Sequence, residues 1–123
     1  MMRFEVKKMQ KRYRHFLKLS EVQRMSYDMG LSIWVDNQQF FGEPDFPVLD
    51  FLYAVYKWKS SKDNEDFAYN CIETEDNPLI SFTREKNMWA MYSPWQLFKC
   101  EKRFAKEEII GALDDLEKKI YCK

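Results

Sequence analysis

Across residues 66–104, apolar and polar residues exchange places at nearly every step, in four short runs. Phe67, Tyr69 and Cys71 share one side of the first run, and Ile80 and Phe82 lie together in the second. In the third, Trp89 and Met91 oppose Met88, Ala90 and Tyr92; in the fourth, Phe98, Cys100 and Phe104 share a side. Successive side chains of a strand point to opposite faces, so the pattern predicts antiparallel strands with one or both faces covered. Residues 73–78 and 84–87 read as hairpin turns, and Ser93-Pro94-Trp95 parts the third run from the fourth. The aromatic residues are thereby spent on architecture.

Residues 3–6 read as a further strand. Residues 9–25 tolerate either a helix, with Tyr13, Phe16, Leu17 and Val22 at helical spacing, or a strand over 13–19. Residues 31–35 are rich in strand formers; Asp36-Asn37 makes a turn and 38–41 returns as the hairpin partner. A helix is expected over 47–59, with Asp45 as its cap and Asp50 complementing the positive end of its dipole. Its apolar residues form two stripes, Leu49, Leu52, Tyr53 and Tyr56 beside Val48, Phe51, Val55 and Trp58, so it is buried on most sides. After a polar loop over 60–65 come the four runs, then a last helix over 107–121 with Ile109, Ile110, Leu113, Leu116 and Ile120 inward. The expected architecture is one α+β domain over residues 1–123, an antiparallel sheet of about five to seven strands with two main helices packed on it.

Length and composition agree with one globular domain, and no run approaches the ~20 apolar residues of a membrane helix. The basic N-terminus lacks the apolar stretch of a signal peptide. Cys71, Cys100 and Cys122 are an odd, widely spaced set, read as reduced thiols in a cytoplasmic protein. Net charge is zero but uneven, with a balance of +5 over residues 1–30, −7 over 31–83 and +2 over 84–123. A basic and an acidic surface are therefore expected, which bears on partners.

The inventory for catalysis is thin. His15, the single histidine, has Arg12, Arg14 and Lys18 around it and no flanking carboxylate to orient it as a base. No Cys/His group has zinc spacing, and no Gly-rich phosphate loop or nucleophile elbow occurs, so no metal, cofactor or catalytic residue is assigned. Two acidic clusters, Asp63/Glu65/Asp66 and Glu73/Glu75/Asp76, could serve a carboxylate-based hydrolase if they converged in a cleft, but turn-located acids are ordinarily solvated.

Geometry separates those clusters, because the intervening strand spans roughly 20 Å. If the 47–59 helix runs antiparallel to that strand, its start returns to the far end. Glu43, Asp45, Glu73, Glu75 and Asp76 would then share an acidic rim. Trp58, at a helix end, and Trp95, beside Pro94, are the candidate exposed anchors of a protein interface. The segment 7–18 offers a nucleic-acid alternative, with Tyr13 or Phe16 to stack a base, but no RNP, KH or zinc-finger signature supports it.

Over residues 30–116 the chain resembles small single-domain bacterial proteins of unknown function. The residues carrying the likeness are Gly30-Leu31-Ser32-Ile33, Trp58, Asp66-Phe67-Ala68-Tyr69, Asn77-Pro78, Trp89 and Ser93-Pro94-Trp95. In size, aromatic content and layout it is also similar to immunity proteins of bacterial toxin systems. That second resemblance implies a non-enzymatic domain that neutralises a toxin by surface binding, through an acidic patch facing a basic partner. The expected partner is another protein, which the second resemblance makes a toxin, with a homodimer also open through the apolar helix or a sheet edge.

Overall fold

In the computed structural model, which describes residues 1–9, 12–61 and 65–121, strand β1 (Met2–Lys7) pairs antiparallel with β2 (Met29–Val35). β2 in turn pairs with β3 (Gln38–Phe46), through a two-residue turn in which Asp36 and Asn37 both adopt positive φ. A second antiparallel sheet holds β4 (Phe67–Tyr69), β5 (Ile80–Glu85), β6 (Met88–Tyr92) and β7 (Arg103–Phe104) in that order. The α+β class stands, but the seven strands divide into sheets of three and four instead of one sheet.

The split has a local cause on β3. Pro44 lacks the N–H a further ladder would need, and the Phe40 carbonyl already accepts the Leu97 N–H at 2.8 Å. β3 is also longer than its apolar residues imply, running on to Phe46. Asp45 therefore lies in a strand and caps nothing; α2 (Val48–Lys59) starts after Pro47 with no side-chain cap.

The ambiguous stretch resolves into neither a long helix nor a strand. A 3₁₀ turn (Phe16–Lys18) is followed by α1 (Glu21–Met25), whose entry is a capping box of Ser20 and Gln23. In the fourth run only Arg103–Phe104 forms strand, because residues 95–100 serve as a loop against β3.

α2 joins the two sheets. Val48, Leu49, Phe51, Leu52, Val55 and Trp58 are buried. The Phe51 ring lies 6.3 Å from Phe4 and 5.9 Å from Phe46 on one sheet, and 5.8 Å from Phe67 and 5.5 Å from Tyr69 on the other. The helix runs antiparallel to β4, since Trp58 packs on Phe67 while Phe51 reaches Tyr69. α3 (Lys106–Tyr121) covers β1, burying Ile109, Ala112, Leu113, Leu116 and Ile120. Cys71 and Cys100 are buried, unpaired thiols within the core, and Cys122 falls outside the described residues. No helix among the described residues is long and apolar enough to cross a membrane.

Candidate functional site

The turn after β4 is built around one side chain. Asn77 accepts the Cys71 N–H through Oδ1 and donates through Nδ2 to the carbonyls of Cys71 and Thr74, all at 2.8 Å. Thr74 Oγ1 accepts the Asp76 N–H at 3.1 Å. Both are side-chain substitutes for backbone turn bonds. They hold Glu73, Glu75 and Asp76 exposed, with Ile72 beside them 79% exposed.

A second loop leans on this turn. Buried Ser93 accepts the Trp95 N–H through Oγ at 3.1 Å, and its own N–H donates to Gln96 Oε1 at 3.1 Å. The half-buried Trp95 ring stacks on Phe41 at 6.5 Å, and its Nε1 donates to Asp76 Oδ2 at 2.9 Å. Leu97, two residues on, is 62% exposed. Trp95 is therefore a partly covered hinge between two loops, with one edge of its indole already bonded.

Of the sequence-derived rim, these contacts hold Glu73, Glu75 and Asp76 together on one turn beside Trp95. Glu43 follows Phe41 by two residues on β3 and is half-buried opposite Leu31. Asp45 is exposed next to Phe46, whose ring meets Tyr69 at 5.8 Å, just ahead of the turn. Asp45 also has an acidic neighbour that sequence did not indicate. Partial burial, aided by the Asp45 charge, raises the Asp28 carboxyl above its ordinary value.

Trp58 does not belong to the rim. It is 5% exposed, donates Nε1 to the Glu65 carbonyl at 2.6 Å, and packs against Phe67 and Phe82. The expectation of an exposed anchor fails there because β4 and β5 cover the helix end. Within the two loops it is Ile72 and Leu97, absent from the sequence-derived set, that are apolar and exposed. The signal available was an apolar residue at the outward step of an alternating run.

The basic segment is tied into the fold. Phe16 is 2% exposed and Tyr13 packs edge-on against Tyr27 at 5.7 Å, so neither ring stands clear to stack a base. Gln10 and Lys11 of that segment, like Asp63 of the first acidic cluster, fall outside the described residues. His15 does have a carboxylate neighbour, supplied from α3: its Nε2 lies 3.7 Å from Glu117, while Nδ1 accepts the Leu17 N–H. Its ring stacks on Tyr121 at 5.1 Å, so its contacts pin the 3₁₀ turn to α3.

A cleft of about 470 Å³ runs between α2 and β4, lined among others by Arg24, Asp50, Tyr53, Lys57 and Tyr69. Arg24, 9% exposed, donates from Nε to Asp50 Oδ1 at 3.1 Å and from Nη1 to the Leu19 carbonyl at 2.9 Å, with its guanidinium 3.8 Å from the Tyr53 ring centroid. Tyr69 donates its hydroxyl to Asp50 Oδ2 at 2.9 Å. Burial first, then the Asp50 charge, hold the Tyr69 phenol far above its ordinary range. Both Asp50 oxygens are thus engaged in joining α1, α2 and β4. Among the described residues, no group of three His, Cys, Asp or Glu could hold a metal ion.

With that geometry in view, residues 2–121 match the family described as "Domain of unknown function (DUF7878)". The chain belongs to that family. No curated protein and no solved structure matches it.

Proposed function

We propose that this member of the family is a non-enzymatic protein-binding domain whose docking face is the paired loops 72–76 and 95–97. The observation that carries the reading is the Trp95–Asp76 bond. It joins an acidic turn (Glu73, Glu75, Asp76) to exposed apolar residues (Ile72, Leu97) around a half-covered tryptophan. An aromatic and aliphatic centre ringed by one sign of charge is the make-up of a surface that captures a basic protein. The charges accelerate encounter, and the apolar centre sets the lifetime of the complex. Inhibition of a basic toxin, the role of an immunity protein, is the specific form of this function that the charge pattern favours. An acid-based hydrolase has less support, since both oxygens of Asp50, the half-buried carboxylate at the cleft, already accept hydrogen bonds from Arg24 and Tyr69.

The test begins with affinity capture by the tagged chain, followed by purification of the recovered partner and measurement of its Kd. Ile72→Asp and Leu97→Asp alter side chains already in solvent, so folding is retained. Each is expected to weaken binding at least tenfold. Reversing Glu73, Glu75 and Asp76 to Lys is expected to slow association and to abolish its salt dependence. A Kd unchanged by all of these variants refutes the assignment.

A further inference from the structure

The three-stranded sheet has two edges, and they differ. β3 is closed by Pro44, by the Leu97–Phe40 bond and by register slips at Met29/Leu31 and Ile33/Trp34. β1 has none of these devices. It keeps an unbroken register with β2 from Met2 to Lys7 and contains neither proline nor glycine. The Met1 carbonyl accepts the Asp36 N–H, so the odd-numbered residues face β2. Met2, Phe4 and Val6 therefore present N–H and C=O outward. Among the described residues, one bond reaches that row: Lys119 Nζ donates to the Phe4 carbonyl at 3.0 Å.

α3 continues the open surface. Its flank bearing Asp114, Glu117 and Tyr121 is engaged by Lys59, His15 and the Arg14 carbonyl. At 100° per residue, Ala112, Asp115 and Lys119 lie on the opposite flank. There they line a cavity of about 270 Å³ beside the β1 edge, together with Met1, Met2, Arg3 and Phe4.

We infer that this edge receives a second copy of the same chain, β1 against β1 antiparallel, giving a continuous six-stranded sheet across a twofold axis at Phe4. The strand is self-complementary about that residue. Phe4 meets its own copy as a hydrogen-bonded pair, Met2 faces Val6 on the inner side, and Arg3 faces Glu5 twice on the outer side. The competing registers are worse. Centring on Glu5 sets Glu against Glu and Arg3 against Lys7, and centring on Val6 recruits Lys8, whose φ of 61° takes it out of the strand. On α3, an antiparallel copy presents Asp115 and Lys119 in reverse order, acid toward base. Lys119 competes with the partner's Phe4 N–H for one carbonyl, so it acts as a brake on association.

Sedimentation of the full chain is expected to give twice the 15.1 kDa monomer mass. Arg3→Glu, on the exposed face, is expected to keep the far-UV CD spectrum and weaken association at least tenfold; adding Glu5→Arg restores it. Mixing wild type with that doubly exchanged chain is expected to yield the two homodimers without hybrids, because Arg3 then meets Arg. Lys119→Met is expected to tighten the dimer roughly tenfold, the worth of two released backbone bonds. A wild-type chain monomeric at its highest soluble concentration overturns the proposal, as do free formation of hybrids, indifference to Arg3→Glu, or protection of the edge amides only by a foreign peptide.

Discussion

Replacing Asp50 by Leu removes the group that Arg24 and Tyr69 share. The Arg24 and Asp50 side chains are 11% and 16% exposed, so the pair is screened far less than a surface ion pair. In the variant the guanidinium keeps only the Leu19 carbonyl and the Tyr53 face, and the Tyr69 hydroxyl loses its acceptor. Breaking one side of a buried pair costs about 3–5 kcal/mol. The adjoining cleft admits water to the stranded charge, which places the cost near the lower end, about 3 kcal/mol. For a domain of this length that corresponds to a fall in Tm of roughly 10 °C. Urea unfolding followed by far-UV CD supplies the measurement. Arg24→Met combined with Asp50→Leu removes both charges, and exchanging a buried pair for apolar groups is nearly neutral. The double variant is therefore expected to be more stable than Asp50→Leu alone, with a coupling of about 1.5–3 kcal/mol. Additive losses, or a cost below about 1 kcal/mol for Asp50→Leu, would show that the network does not brace α1, α2 and β4.

Alkali offers an independent check. Tyr69 and Tyr121 are both raised from an ordinary value of 10.0, Tyr121 to about 12, chiefly by burial. Because their folded-state values exceed the unfolded one, the stability they contribute is complete below pH 10. It declines as pH rises through 10 toward 12 and beyond. Tyr69→Phe is expected to make that decline shallower in denaturant titrations across this range; an unchanged slope refutes the assignment. Phe51→Ala is expected to cost about 3–5 kcal/mol in urea unfolding, since its ring touches both sheets, and a loss under about 1.5 kcal/mol refutes that role. Ser20→Ala removes one arm of the α1 capping box and is expected to cost about 1 kcal/mol by thermal melting, with no change detected as the contrary result.

Much of the secondary structure was legible because it depends on spacing. The alternation of Phe67 with Tyr69 and of Trp89 with Met91, the Asp36-Asn37 turn and the stripe from Ile109 to Ile120 each record a periodicity that one element must satisfy. Residues 9–25 were not legible, since a three-residue turn and a five-residue helix are too short to establish a period. Trp58 misled because its exposure depends on β4 and β5 lying over the helix end. Ile72 and Leu97 were missed for the converse reason, being apolar residues that nothing covers.

The amino-acid order alone determined where most of the strands lie, which long segments are helices and how unevenly the charge is spread. These are consequences of neighbours along the chain. Tertiary structure alone decided that the strands form two sheets, that Asp50 joins Arg24 to Tyr69, that Glu117 reaches His15, and that Trp95 fastens the Asp76 turn. Each is a contact between residues distant in sequence. Side-chain spacing specifies a face but not the surface that will cover it, so only packing of the whole chain could select these partners.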